Sequence, residues 1–365
     1  MAIMPKLTLR NLRTRAVRVP MRRPLATRVV VLESAPLVLI DLETEEGVTG
    51  RAYIFAYLAA AVPLYRHLLA TIADALRGQT VAPAQLFDDL RRRLTLIGHQ
   101  GVSLMAIAGF DMAAWDALAK AADLPLVRLL GGRVEPVLAY NSNGLGLMAP
   151  GALKEEAQGL LEGGFTAMKV RVGRPALAED LAAIRAVRAA VPEHVTLMTD
   201  FNQGLDTMEA IRRGRAFDGE GLAWIEEPIV YDDLAGQAKI AAEVATPIQI
   251  GENFYGPRAM ADAIAAKAAD YMMPDLQRIG GVTGWLRAAA LAEAAGIPMS
   301  SHLFPEFSAH VLTVTPTRHW LEYVDWAAPV LTDPLKVSKG HAVIRETAGA
   351  GIAWDEAAVK RYAFD

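Results

Sequence analysis

The sequence predicts a closed parallel β/α barrel preceded by an α+β unit, and three observations lead there. The chain is 365 residues long, enough for two domains or one large fold rather than a small stapled scaffold. Up to about residue 133, extended runs come first and helical ones after, the order of an α+β unit. Past Gly132, eight short apolar runs alternate with about seven Ala-rich helical stretches over roughly 190 residues, the pattern of a closed barrel rather than an open doubly wound sheet.

In the first unit, LTLRNLRTRAVRV, VVVLESAPLVLIDLET and VTGRAYIF are rich in Val, Leu and Thr and separated by Pro and Gly. They read as an antiparallel meander between Leu7 and Phe55. Leu/Ala periodicity in AYLAAAVPLYRHLLATIADALRG, AQLFDDLRRRLTLIG and GVSLMAIAGFDMAAWDALAKAA predicts three helices, each closed by Gly or polar residues. The basic triplet Arg91, Arg92 and Arg93 stands beside Asp88 and Asp89 and reads as a solvated helix face. In the second unit the barrel strands are VLAYNS, AMKVRV, TLMTDF, AWIEEP, PIQIG, YMMPD, PMSSHL and WLEYVD.

Lys plus Arg number 37 against 41 Asp plus Glu, a formal charge of −4, without the basic excess that a binder of nucleic-acid phosphates needs. A hydrophobic share of 53% with 21% charged residues supplies a core and excludes intrinsic disorder. Zero cysteines exclude disulfides, thiol nucleophiles and Cys-type zinc sites, and fit a cytoplasmic protein. The N-terminal stretch carries Lys6 and Arg10 and lacks the apolar core of a signal peptide. The apolar run Ala52 to Tyr65 contains Pro63 and falls short of the roughly 18 residues a membrane span needs. Neither nucleic acid nor membrane is an expected partner.

In a parallel barrel the chemistry collects at the C-terminal ends of the strands. The predicted strands finish at Lys169 and Arg171, Asp200, Glu226, Glu252, Asp275, His302 and Glu322. Asp200, Glu226 and Glu252 recur one β/α unit apart, so the fold brings their carboxylates to one rim. Three carboxylates in a low-dielectric rim call for a cation. Hard oxygen ligands contributed singly, with room for water and substrate, indicate Mg²⁺ above Ca²⁺ or Zn²⁺. Asp275 and His302 end neighbouring runs, an arrangement in which the carboxylate orients the imidazole as a general base. His67, His99, His194, His310, His319 and His341 end no barrel run beside an acid and read as structural. Gly144 to Ala149 matches a loose dinucleotide-binding pattern, but no acid ends the following strand and Pro150 with Gly151 marks an ordinary loop.

These residues, with LRTRAVRVP, APLVLIDLETEEGVTGRAYIFAY, MAAWDALAK, WIEEP, GEN, MPD, IGGVTGW, IPMSSHLFPE and HWLEYVD, make the chain resemble the enolase superfamily, mandelate racemase subgroup, over nearly its whole length. The resemblance implies a (β/α)₇β barrel under an α+β cap. The cap would comprise residues 1–133 with a lid at about 20–34, the barrel 134–330, and 331–365 would pack back on the cap. It also implies Mg²⁺ on Asp200, Glu226 and Glu252, and abstraction of the proton α to a carboxylate through an enediolate. Lys169 would neutralise that carboxylate, and Glu322 would donate to it as an acid of raised pKa. Ser142, Asn202, Tyr57 and Arg28 would line the substrate, with Arg28 the best placed of the lid's Arg22, Arg23 and Arg28 to meet a hydroxyl or second carboxylate. Leu25, Val29, Leu32, Tyr57, Leu303 and Val324 would supply an apolar lining. A small-molecule carboxylic acid is the implied partner, and a homo-oligomer, octamers included, the implied assembly.

One departure shapes the reaction. The family places Lys-X-Lys on the second barrel strand, with the second Lys as a base, whereas this chain has Lys169-Val170-Arg171. A guanidinium is effectively always protonated, so Arg171 is a poor base. The first expectation is therefore dehydration of a 2,3-dihydroxy acid of the acid-sugar type to a 2-keto acid, with His302 as base and then acid and Arg171 as a clamp. The alternatives are a 2-hydroxy-acid racemase, and an inactive barrel kept as a binding protein, which would need broken chemistry.

Overall fold

Two long strands open the chain as a hairpin. The computed structural model describes residues 6–364, so Met1 to Pro5 of the N-terminal stretch lie outside the described residues. Strand β1 (Leu9–Ala26) pairs antiparallel with β2 (Val31–Thr44), and β3 (Thr49–Phe55) extends the sheet along β2. The stretch 20–34, expected as the lid, is the far end of this hairpin. Its ladder is irregular between Pro20 and Leu25, where Pro20 and Pro24 supply no N–H, and resumes at Leu25↔Leu32 and Ala26↔Val31.

Helices α1 (Val62–Leu76), α2 (Pro83–Arg93) and α3 (Val102–Ala121) follow, then a short α4 (Leu126–Leu129). Proline in the first turn starts α1 and α2, where its missing N–H costs nothing. Helix α2 stops at Arg93, short of the periodic pattern, and leaves Leu96 and Ile97 exposed in the turn behind it. Helix α3 is long and apolar enough to cross a membrane by length and composition, yet 83% of that window is buried inside the protein. A helix apolar on all sides is a core helix here, packed on β3 in front and on the barrel behind.

The barrel runs β4 (Val137–Asn141), α5 (Pro150–Gly159), β5 (Ala167–Arg171), α6 (Leu177–Ala190), β6 (Thr196–Asp200), α7 (Thr207–Phe217), β7 (Leu222–Glu226), α8 (Leu234–Glu243), β8 (Ile248–Ile250), α9 (Pro257–Ala266), β9 (Tyr271–Met272), α10 (Leu276–Ile279), α11 (Gly281–Ala295), α12 (Pro305–Thr313) and β10 (Leu321–Tyr323). Neighbouring strands from β4 to β9 are parallel and β10 returns to β4. The expected strand PMSSHL is not a continuous one. It closes the barrel through isolated bridges, Met299 to both Met272 and Arg318, and His302 to Asp275. Pro298 removes a donor at its start, and Leu303 and Phe304, both with positive φ, turn the chain away at its end.

Strand alternation sends every second side chain into the barrel. Tyr140, Ala167, Met198 and Trp224 form a separate apolar cluster, a plug of the kind that makes such barrels packed cores rather than pores. One step further along the same strands stand Lys169, Asp200 and Glu226. The plug is thus the floor on which the charged groups rest.

The remaining residues tie the two units together. Strands β11 (Lys336–Ser338) and β12 (His341–Val343) form a hairpin that pairs with β4, so the first part of the 331–365 segment belongs to the barrel rather than to the cap. From Gly349 onward it meets the cap: Ala350 N donates to Asp116, Trp354 Nε1 donates to Asp41 at 2.8 Å, and α13 (Glu356–Tyr362) packs on β1. Across the same seam Tyr53 donates to Glu306 and the side chain of Gln277 bridges the backbone of Phe55.

His310, on α12, makes this seam pH-sensitive. Its Nδ1 accepts from Val127 N at 3.1 Å, and burial pushes its pKa down to about 4. The unfolded chain holds a His proton up to about 6.5, so between 4 and 6.5 the unfolded state binds more protons and stability falls with falling pH. His310→Asn is expected to flatten the slope of Tm against pH between pH 4.5 and 7. An unchanged slope would remove His310 from the acid response.

Candidate active site

The register of the parallel strands sets the first part of the site. Arg171 is level with Asp200, and Asp200 with Glu226. Gln249 is level with Glu226 on the next strand, so the third acid, Glu252, does not end a strand as expected but stands on the loop beyond β8. The turn that carries it uses Gly251 at φ +137°, whose N–H donates to Glu227 at 2.8 Å. Carboxylate oxygens of Asp200, Glu226 and Glu252 nevertheless lie within 4.8 Å of one another. Three hard oxygen donors from three separate segments suit a small divalent cation such as Mg²⁺.

Lys169 reaches into the same group. Its Nζ lies 2.9 Å from Glu322 Oε1, 3.2 Å from Asp200 Oδ2, and in contact with Glu226 Oε1. Burial works against its charge, but the three carboxylates outweigh burial and raise its pKa, so it stays an ammonium. Glu226, also held by Trp224 Nε1 at 3.0 Å, is pushed up by burial, against the pull of Lys169. Asn202, in the left-handed region at φ +47°, donates from its backbone and its Nδ2 to the two oxygens of Asp200. It aims that carboxylate while its own Oδ1 is buried without a partner.

Asp275 likewise lies beyond its strand, as the N-cap of α10. One carboxylate oxygen accepts from the backbone N–H groups of Gln277 and Arg278, and the other binds His302 Nδ1 at 2.7 Å. The capping bonds fix the carboxylate, which fixes the imidazole and leaves Nε2 toward the site, 3.3 Å from Glu252 and 3.8 Å from Glu322. Burial opposes a charge on His302, yet Glu322, Glu252 and Asp275 together raise its pKa to about 9.

Opposite this pair, Arg171 is tied down. Nη1 donates to the carbonyls of Ser142 and Gly144, and Nη2 donates to Ser142 Oγ at 2.9 Å, leaving Nε buried and unpartnered. Ser142 is fully buried and does not line the cavity as expected. Its hydroxyl, engaged with Arg171, donates to Glu322 at 2.7 Å. Glu322 also accepts from Leu303 N. The expectation of a raised pKa at Glu322 is therefore corrected: burial alone would lift it, but Lys169, His302 and the Leu303 N–H hold it below the usual carboxylate range.

These groups floor a cavity of about 220 Å³ between barrel and cap. Its barrel side is polar, with Lys169, Arg171, Asp200, Asn202, Gln203, Glu252, Asn253, Arg278, His302 and Glu322. Its cap side is Leu25, Thr27, Val29, Val30, Leu32 and Tyr57, with Leu303 and Trp326 of the barrel segment beside them. Tyr57 lines the cavity as expected, its ring against the Arg278 guanidinium at 4.6 Å. The lid arginines do not. Arg28 turns to the Gly173 carbonyl, Arg23 lies near Glu156 and Arg22 near Glu162, while Val324 packs beneath the wall. Arg278, Gln203 and Asn253 escaped the sequence reading. Two of them left a signal: Arg278 stands three residues past Asp275, and Asn253 closes the GEN motif. The loose dinucleotide pattern is closed off, because Leu145 N is taken by the Glu156 carboxylate at 2.5 Å.

A cap, a parallel barrel and a carboxylate triad facing a Lys and a His–Asp pair define the enolase class of metal-assisted enzymes. Residues 9–131 match the mandelate racemase/muconate lactonizing enzyme N-terminal domain, and residues 152–358 match the enolase C-terminal domain-like family. The chain belongs to the mandelate racemase/muconate lactonizing enzyme family of the enolase superfamily. It is similar to an enolase from alpha proteobacterium bal199 with bound Mg, 48% identical with a TM-score of 0.96 over 98% of this chain and 100% of that one. It is also similar to an enolase from Bradyrhizobium complexed with magnesium and mandelic acid, 44% identical with a TM-score of 0.95 over 100% of both chains. L-talarate/galactarate dehydratase of Salmonella typhimurium is 32% identical over 90% of this chain and 82% of its own length.

Proposed function

We propose that the chain is a Mg²⁺-dependent dehydratase that converts a 2,3-dihydroxy acid to a 2-keto acid. The observation that carries this reading is the asymmetry of the site. One side holds a histidine backed by a carboxylate, and the other a guanidinium with both terminal nitrogens committed to the 142–144 loop. Only His302 is built to take a proton.

The cation would be held by Asp200, Glu226 and Glu252, and supplies positive charge where negative charge grows on the substrate carboxylate. Lys169, kept charged by its neighbours, neutralises the same carboxylate. A cation on Glu252 would offset the carboxylate charge that raises the His302 pKa and leave the imidazole free to act as a base. His302 Nε2 then takes the proton from C2, and the electron pair passes into the carboxylate. The imidazolium so formed gives that proton to the hydroxyl on C3, the C3–O bond breaks, water leaves, and the enol product tautomerises to the 2-keto acid. Ser142 and Glu322, engaged with each other, with Arg171 and with Leu303 N, hold that wall of the site rigid.

The cap side narrows the substrate. A second carboxylate at the far end of the acid would lie against Leu25, Val29, Val30, Leu32 and Trp326 with no lid cation beside it, a costly unpaired charge. This favours a monocarboxylic acid sugar over a dicarboxylic one. The same apolar wall favours the second reading, racemisation of a 2-hydroxy acid with an apolar tail, as does the mandelic acid in the Bradyrhizobium enzyme.

NMR in D₂O with Mg²⁺ and a panel of aldonic, aldaric and simple 2-hydroxy acids, mandelate included, separates the two. Loss of the C3 hydroxyl and appearance of a 2-keto acid is the expected result. Deuterium at C2 together with the opposite enantiomer would replace dehydration by racemisation. Arg171→Lys is then expected to create deuterium exchange on the second face. Beside the charge of Lys169 the new ammonium would lose its proton more readily than an ordinary lysine. A silent variant would mean that residue 171 does not face C2.

A further inference from the structure

Arg28 and two glycines of the barrel rim make a fitted contact that the chemistry leaves unused. Arg28 stands at the tip of the β1–β2 hairpin, and its Nη1 donates to the Gly173 carbonyl at 3.0 Å. Its aliphatic stem lies over Gly204, where a Cβ would sit 2.2 Å from Arg28 Cγ and 2.8 Å from Arg28 Cβ. Those atoms belong to the root of the side chain and cannot swing away as its far end could. On the loop after β4, a Cβ at Gly146 would sit 2.7 Å from the carbonyl oxygen of Ala26, and the next residue, Leu147, donates its N–H to that same oxygen at 2.8 Å. Neither Gly146 nor Gly204 has a positive φ. The backbone does not require glycine at either position; the room taken by the lid does, most of it at Gly204 by Arg28, with the Phe201 carbonyl oxygen a further 3.0 Å contact.

The tip itself is a small closed turn. Thr27 N donates to the Val30 carbonyl at 2.9 Å, and Thr27 Oγ1 accepts from Val30 N at 3.0 Å. The turn makes residues 27–30 one unit, so whatever holds Arg28 also holds Val29 and Val30, which line the cavity although Val29 is 65% exposed. Side chains so exposed add little burial to keep the lid down. The hold comes from the two rim notches.

We propose that Arg28 is the latch of the lid: its stem in the Gly204 notch and its guanidinium on Gly173 keep Val29 and Val30 over the cavity and set how often the cavity opens. Arg28 is thus a positioning residue that acts through the lid rather than on the ligand.

Hydrogen exchange of the full chain loaded with Mg²⁺ tests this, read at the amides of Thr27, Val30 and Leu147. The Leu147 amide is informative because it lies on the barrel yet is protected by the lid. Arg28→Ala is expected to speed exchange at all three by about three- to tenfold, with the β2–β3 amides unchanged and Tm within about 2 °C. Arg28→Lys, which keeps the stem and a donor, is expected to restore protection. Gly204→Ala is expected to speed the same amides strongly in the wild-type background and far less in an Arg28→Gly background, where only the Phe201 carbonyl oxygen, 3.0 Å from the added Cβ, still crowds the notch. Wild-type exchange at Leu147 in Arg28→Ala would overturn the proposal, as would equal effects of Gly204→Ala in both backgrounds. The readout does not depend on which acid is consumed, so it stands or falls apart from the reaction.

Discussion

Replacing His302 with asparagine is expected to lower kcat by about four orders of magnitude and to stop deuterium exchange at C2. The size follows from the two duties of one side chain. His302 Nε2 removes the proton from C2 and returns it to the departing hydroxyl, so its loss removes base and acid together. Asparagine can still donate to Asp275 and fill much of the same space, so the helix cap at α10 and the carboxylate triad should survive. Mg²⁺ affinity and Tm are the controls, and both should change little. The informative outcome is residual exchange. If one enantiomer of a 2-hydroxy acid still exchanges its C2 proton in the variant, the side bearing Lys169 and Arg171 moves protons, and the one-base reading is lost.

That prediction rests on residues that were legible, and the reason is the register. Equivalent positions on parallel strands lie level, so the spacing of Asp200 and Glu226 translates directly into proximity. Glu252 was legible as a residue but not as a place. Its strand ends at Ile250, and a glycine turn carries the carboxylate back to its partners. The lid arginines were misread for the opposite reason. Treated as a loop, residues 20–34 carry no period; as a strand, they alternate, with Met21 and Leu25 buried and Arg22 and Pro24 exposed. Arg28 falls at the tip, where neither period applies and the notch at Gly204 and the carbonyl of Gly173 decide its direction. Arg278 was missed because its partner ring, Tyr57, comes from the cap. Glu322 shows that charge alone does not fix a pKa. Acids nearby suggested a raised value, but the lysine, histidine and amide that meet it are set by folding and hold it down.

Replacing Glu226 with glutamine is expected to weaken Mg²⁺ binding by about two orders of magnitude, close to 3 kcal/mol, and to depress kcat even at saturating Mg²⁺. The position is less forgiving than a ligand count suggests. Glu226 Oε1 meets the Lys169 ammonium, and Oε2 accepts from Trp224 Nε1 at 3.0 Å, with Gln249 Nε2 at 3.4 Å. Each of these hydrogen-bond partners is a donor. A glutamine can present one oxygen, to Lys169 or to Trp224, and must turn its NH₂ toward the other, leaving two donors face to face in a buried site. The substitution therefore removes a cation ligand and disturbs the lysine that neutralises the substrate carboxylate. Titration calorimetry with Mg²⁺ measures the first loss, and the kinetics at saturating Mg²⁺ measure the second. If raising Mg²⁺ a hundredfold restored full activity, Glu226 would serve the metal alone. If neither affinity nor rate changed, the carboxylate triad would not be the metal site. The expected outcome lies between these: binding recovers at high Mg²⁺ while kcat stays depressed, because the misplaced amide still opposes Lys169.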